Sequence, residues 1–458
     1  GGEVREPTAP EKLALATAGV GALLFATSLL APGKLQSWLP PWLALMLTFG
    51  TAAVGGAAYW WLSYRGTTPG IKHHGVFHSS VMNRGAWGWL LGILITGFYV
   101  MLYWHASALE GAVRLLDPLA LLIKGHPADQ WFLYGFLYTA SVLVMGLRMA
   151  MKYRHSQYHL LRTASVAFFQ LGFAFLLPSL LKKMNQPDFY FTYFWPLKPD
   201  YLLPFDYVLG ADGIVSKEWG GHATGRFMIL WGAAATFVIT PTLTWFFGKR
   251  WYCSWVCGCG GLAETLGDPW RQLSDKSSRA WKVERWSIHT VLLTITTFTL
   301  FLWINDLTGR KMMGNDGSAF FWKTYGFLIV MAFSGVIGVG FYPLLGSRVW
   351  CRFGCPMAAI LGLQQRFLSR FRITTNGGQC ISCGNCSTYC EMGIDVRAYA
   401  QRGENIVRAS CVGCGVCAEV CPRGVLKLEN GSFGDRFHNA ARPLVALADA
   451  LRGRPKAR

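Results

Sequence analysis

Eight stretches of roughly twenty residues, nearly free of charge, recur along the chain: 13–31, 41–62, 86–109, 131–150, 163–181, 227–247, 286–304 and 325–345. A helix needs about 20 apolar residues to cross the core of a bilayer, and only helices and closed barrels satisfy their backbone polar groups there. A buried helix of a soluble protein can mimic one such run. Eight of them, several ending in Trp and Tyr, predict an all-α polytopic membrane protein. The first run is too long for a signal-peptide core, and no small-residue cleavage site follows it. The formal net charge of +19 would suggest nucleic acid in a soluble chain. No nucleic-acid motif accompanies it, and basic loops meeting anionic membrane lipid account for it.

Eight spans put both termini on one side. That side carries Arg65, Lys72, Arg84, Arg148, Lys152, Arg154 and Arg162, then Lys249, Arg250, Arg271, Lys276, Arg279, Lys282 and Arg285. The opposite side mixes basic with acidic residues, so the positive-inside rule places both termini in the cytoplasm of a bacterial inner membrane. The opposite side also holds one long, aromatic, proline-rich loop, 182–226. It is expected to lie on the membrane surface, to dock a partner, or to cap the helix ends.

Beyond residue 345 cysteines arrive at fixed spacing. Cys380, Cys383, Cys386 and Cys390 form C-x2-C-x2-C-x3-C, and Cys411, Cys414, Cys417 and Cys421 repeat it, with Pro422 following. This is the two-cluster bacterial ferredoxin pattern, in which the fourth cysteine of each run ligates the other cluster. The expected ligand sets are Cys380, Cys383, Cys386 and Cys421 for one 4Fe-4S cluster and Cys411, Cys414, Cys417 and Cys390 for the second. Zinc sites more often show paired C-x2-C units, and disulfides are out of place in a cytoplasmic segment. One departure stands out: Glu391, not proline, follows Cys390.

A second cysteine pattern sits where membrane spans end. "GKRWYCSWVC" (248–257) and "GSRVWCRFGCP" (346–356) align Gly248 with Gly346, Arg250 with Arg348, Cys253 with Cys351 and Cys257 with Cys355. Each copy follows a span, so the last four spans read as a duplicated hairpin, and sites form where such halves meet. If helical, thiols at i and i+4 share a face, so Cys253, Cys257, Cys351 and Cys355 could converge on one metal centre, with Arg250 and Arg348 offsetting their charge. The first choice is a third iron-sulfur cluster; copper, a reactive dithiol pair, or plain helix-end packing are the alternatives. Cys259 would point elsewhere on a helix and could replace one of the four in an irregular loop.

Spans followed by two C-x3-C motifs and a two-cluster ferredoxin segment, over roughly residues 225–430, resemble the membrane-bound polyferredoxins. That family includes the quinol-oxidising ferredoxin subunit of periplasmic nitrate reduction, the nitrous oxide reductase maturation regulator and the cytochrome oxidase copper-assembly ferredoxin. The resemblance implies electron transfer between the cytoplasmic or quinone side and an extracytoplasmic redox system. This chain departs from it in Gly258 where a proline is expected, in the extra Cys259, and in about four additional N-terminal spans.

The N-terminal half offers His73, His74, His78, His155 and His159 near inner helix ends, and His105, His126 and His289 elsewhere. No pair lies mid-membrane as a haem would need; inner-side His and Arg suit quinone head groups or interfacial solvation. The expected organisation is a membrane domain (1–181), the long loop (182–226), a membrane core with both C-x3-C motifs (227–372), a small α+β ferredoxin-like domain (373–430) and a basic tail (431–458). Two functions stay open: an electron-transfer subunit of a multisubunit redox complex working with quinone, or a copper-reducing or assembly factor for a metalloenzyme.

Overall fold

The computed structural model describes residues 5–70, 73–186, 189–198, 202, 222–309 and 314–431. Among these, seven helices are long and apolar enough to cross a membrane: α1 (Ala9–Leu30), α2 (Pro41–Arg65), α3 (Ala86–Trp104), α4 (Gln130–Lys152), α5 (Gln157–Lys183), α6 (Phe227–Phe247) and α7 (Ser278–Asn305). The expected eighth span is offset: the helix Gly314–Tyr325 runs directly into the π-type turns of Gly326–Ile337, the two together forming α8, and gives way to the short helix Tyr342–Leu345. Gly338, Gly340 and Pro343 explain the early stop, since glycine and proline both weaken a helix interior. Small residues let α1 and α2 touch: a Cβ on Gly55 would lie 2.4 Å from the Ala18 nitrogen, and one on Gly21 2.4 Å from the Thr48 carbonyl. Such close approach is how helices associate where lipid offers no hydrophobic drive.

The cysteine-rich C-terminal segment is clasped by an antiparallel pair, β1 (Phe371–Thr375) and β2 (Leu426–Asn430), in register from Phe371↔Asn430 to Thr375↔Leu426. Phe371, Ile373 and Leu426 are buried beneath it. The segment sits directly on the membrane core. Tyr158 of α5 donates to the Gly413 carbonyl at 2.9 Å, Ser254 to the Val412 carbonyl at 2.9 Å, and Gln365 to the Cys411 carbonyl at 2.8 Å.

The long loop does more than cap the bundle. Its described part, 189–198, is irregular chain packed among α6, α7 and α8, with Phe189 and Phe194 buried. Its carbonyls find donors: Trp231 reaches Phe191 at 3.0 Å and Tyr252 reaches Thr192 at 2.6 Å. Trp195 donates to Thr299 of α7 at 3.1 Å. Irregular backbone at membrane depth is tolerated only where protein or a cavity surrounds it. Most of the remaining loop, and the tail beyond 431, lie outside the described residues.

A buried ion network ties the parts together. Asp268, between α6 and α7, holds Arg148 at 2.8 Å, Lys152 at 2.7 Å and Arg271 at 2.9 Å. Arg271 continues to Glu391 at 2.8 Å, and Glu391 to Arg348 at 3.0 Å. Arg348 pairs with Glu264 at 2.7 Å, which pairs with Arg162 at 2.6 Å. Burial alone would raise the Asp268 carboxyl, but Lys152, Arg148 and Arg271 hold it well below the usual range. Its contribution is therefore present above the ordinary carboxylate pKa and lost only as pH falls through the depressed value. Asp268→Asn should cost about 3–5 kcal/mol, because three buried cations lose their shared partner. Thermal unfolding in detergent at neutral pH measures this; an unchanged midpoint would contradict the central place given to Asp268.

Candidate iron-sulfur centres

Cys380, Cys383, Cys386 and Cys421 line one small cavity that opens to solvent. Three come from one cysteine run and the fourth from the other, which β1 and β2 bring alongside. The Val425 amide donates to the Cys421 sulfur at 3.3 Å, as the Ile394 amide does to the Cys390 sulfur at 3.4 Å. The two runs thus repeat in hydrogen bonding as well as in spacing. Four thiols around one cavity, with amide donors aimed at sulfur, suit a cubane cluster.

The second set is more enclosed. Cys411 and Cys417 are buried, and Cys417 lies within electrostatic reach of Cys414, Cys411 and Cys390. Cys386 of the first set also acts on it, so the two sets adjoin. Burial pushes the Cys411 thiol up to about 11, as it does Cys386. Without metal these thiols stay protonated, so cluster assembly must release protons. Arg162 donates to the Cys414 carbonyl, and this set faces the membrane core. Cys383 of the first set is exposed.

The C-x3-C motifs depart from the single-helix expectation. The short helix Arg250–Cys253 ends in a turn, and Cys257 caps the N-terminus of Gly258–Thr265. Likewise Val349–Phe353 breaks off before Cys355 caps Pro356–Phe367, where the Cys355 sulfur accepts from the Ala358 amide at 3.4 Å. The second cysteine of each motif thus sits at a helix N-terminus, which favours a thiolate, but burial still pushes the Cys355 thiol well above its ordinary value. All four thiols are buried in one core cluster, and Cys257, Cys351 and Lys249 all act on Cys253, whose pKa burial pushes up to about 12.

The charge expectation holds for one half only. Arg348 lies 3.7 Å from the Cys351 sulfur and 3.2 Å from the Cys253 carbonyl. Arg250 instead stacks on Phe371 at 4.6 Å, and buried Lys249 takes the place beside Cys253. Cys259 lies on the helix but is not remote: its thiol is hydrogen-bonded with Cys257, and that contact, first among several, lowers Cys257 to about 7. Among the described residues no three His, Cys, Asp or Glu side chains are placed to hold a single metal ion. A lone ion with bonds of about 2.3 Å needs its thiolates closer together than a cubane does.

The histidines take other work. His73 meets Arg148 at 3.0 Å, His155 meets Glu419 at 2.7 Å, and buried His159 stacks on Tyr153 at 4.6 Å. Gly258 also gains a reason: a Cβ there would lie 2.7 Å from the Gln170 amide oxygen and 3.4 Å from the Tyr193 hydroxyl. At Gly260 the limit is backbone, with the Cys253 carbonyl oxygen 1.9 Å from a Cβ. Gly260→Ala should therefore destabilise by about 1–3 kcal/mol, and Gly258→Ala by less, since a side-chain end moves more easily than a main chain. Paired thermal melts check the order; equal losses would contradict it.

Comparison with known proteins agrees with this geometry. A 4Fe-4S dicluster domain matches residues 379–426, and a 4Fe-4S binding domain matches residues 230–283 and 326–374, each stretch enclosing one C-x3-C motif. The chain is 27% identical over 182 residues to the "Putative electron transport protein YccM" of Escherichia coli (strain K12), a match covering 38% of this chain. It spans about half (50%) of that relative's length. No solved structure matches. With thiol sets and fold in agreement with these matches, the chain carries 4Fe-4S domains of the ferredoxin type.

Proposed function

We propose that this chain is a membrane-bound iron-sulfur electron-transfer subunit, working between quinone and redox partner proteins in a bacterial inner membrane, with both termini in the cytoplasm. The observation that carries the reading is the stacking of the Cys411 loop on the first C-x3-C motif, through Ser254 and the Val412 carbonyl at 2.9 Å. Three cysteine sets then lie in order: Cys253, Cys257, Cys351 and Cys355 at the membrane edge; Cys411, Cys414, Cys417 and Cys390 next; Cys380, Cys383, Cys386 and Cys421 outermost. When bound, 4Fe-4S clusters supply one-electron transfer. The match of a 4Fe-4S binding domain to both C-x3-C stretches favours a third cluster over copper at the first set. Cys259, beside Cys257, is the fallback ligand there.

A second cavity, ≈ 270 Å³, supports the quinone end. It is lined by Cys351 together with Ile288, Arg285 and His289 at the start of α7, and by Arg352 and Arg408. A quinone ring asks for apolar walls and a donor at each oxygen, and this cavity offers both where α7 enters the membrane.

Cys421→Ser should remove the cluster held by Cys380, Cys383 and Cys386 and spare the one held by Cys411, Cys414 and Cys417. Iron analysis and electron paramagnetic resonance distinguish the two; loss of the Cys411 signal instead would refute crossed ligation. For the quinone end, the anaerobic chain in nanodiscs should exchange electrons with a menaquinone analogue. Cys351→Ser should abolish that exchange while both outer cluster spectra persist. Copper bound at the four membrane-edge cysteines with no quinone response would overturn this reading in favour of a copper-handling factor.

A further inference from the structure

The outermost cysteine set opens to solvent through a small apolar and basic surface. Ile381 is 54% exposed beside exposed Cys383. Arg397 and Arg423 stand at the rim of the same cavity, both exposed, and neither makes an ion pair among the described residues. Arg402 nearby is already paired with Glu404 at 2.9 Å. The inner set has no comparable opening, because Tyr158, Arg162 and Ser254 cover its loop. A soluble partner therefore reaches the metal centres by the shortest path at Ile381 and Cys383, and must approach past two uncompensated guanidinium groups.

We propose that this rim is the docking surface for a small acidic soluble electron carrier. Ile381 supplies the apolar centre, while Arg397 and Arg423 steer and orient a carboxylate-rich face around the carrier's exposed flavin or iron-sulfur group. Complementary charge raises encounter rates and fixes register more than it raises affinity, which suits a partner that must leave after each transfer. The exchange is simple: one electron leaves the carrier, which is oxidised by one, and one enters the cluster held by Cys380, Cys383, Cys386 and Cys421, which is reduced by one. No bond or proton changes place. The proposal rests on the cluster assignment above and extends it to the partner.

The test uses the full chain in neutral-lipid nanodiscs and a plant-type [2Fe-2S] ferredoxin as the acidic probe. Arg397→Glu/Arg423→Glu should weaken ferredoxin binding at low salt at least tenfold, slow electron transfer from reduced ferredoxin similarly, and flatten its salt dependence. Arg397→Lys/Arg423→Lys should restore most of both. Iron content and the spectra of the dithionite-reduced clusters should match wild type in both variants. Unchanged binding and rate in the Glu variant, or equal affinity of the wild-type chain for basic cytochrome c, overturns the docking surface. So does loss of ferredoxin binding when the nanodiscs are made anionic, which would place the rim on lipid instead. If the wild-type clusters fail to form at all, the cluster assignment falls first, and that outcome is told apart by iron content alone.

Discussion

Three buried carboxylates hold this molecule's parts to one another. Asp268, Glu264 and Glu391 sit between five buried cations, Arg148, Lys152, Arg162, Arg271 and Arg348. Taking charges out of water costs several kcal/mol per ion, so such a network persists only where each member has partners. Here the partners come from different regions. Arg148 and Lys152 end α4, Arg162 belongs to α5, Arg271 and Arg348 flank the two C-x3-C halves, and Glu391 adjoins a cluster cysteine. No one region can shift without exposing an unpaired charge in another. Two of these cations, Arg271 and Arg162, also act on the Cys414 thiol, where a thiolate-ligated cluster would bring negative charge.

The two membrane-edge motifs show how a repeat can share a backbone and differ in electrostatics. Gly248 and Gly346 both turn the chain with positive φ, 67° and 94°, and both second cysteines cap a helix. Yet Arg348 faces the sulfurs while its counterpart Arg250 stacks on Phe371, and buried Lys249 stands in for it. Glu391 completes the asymmetry. Where proline stands in the second ferredoxin run, the first has a carboxylate that Arg271 and Arg348 keep below its usual pKa against the push of burial. The chain thus spends its one departure from the ferredoxin pattern on an anchor to the membrane core.

Much of this was legible in the amino-acid order. Hydropathy marked the spans because the bilayer imposes one length on all of them, and cysteine spacing marked the ferredoxin segment because a cubane imposes geometry on its ligands. What stayed hidden depends on distant residues. Glu391 read only as a missing proline until Arg271 and Arg348 were beside it. Gly258 read only as a residue standing where a proline is expected, but its neighbours are Gln170 and Tyr193, far apart in the chain. Arg250 looked equivalent to Arg348 by alignment, and its stacking on Phe371 depends on where β1 lands. The C-x3-C cysteines looked like one helical face, whereas a turn separates each pair.

The segment 189–198 bears on how such a protein is made. α5 carries the chain from the ferredoxin side to the opposite end of the bundle, and the segment then comes back inward until Thr192 meets Tyr252. Its contacts on α6, α7 and α8 are all with residues synthesised after it. Phe191 already finds Phe173 of α5, but the rest of its seat is complete only when those later helices have been delivered. Cys351 and Cys355 also arrive only after α8. The set of four membrane-edge thiols is thus complete only once α8 and the motif after it have been made.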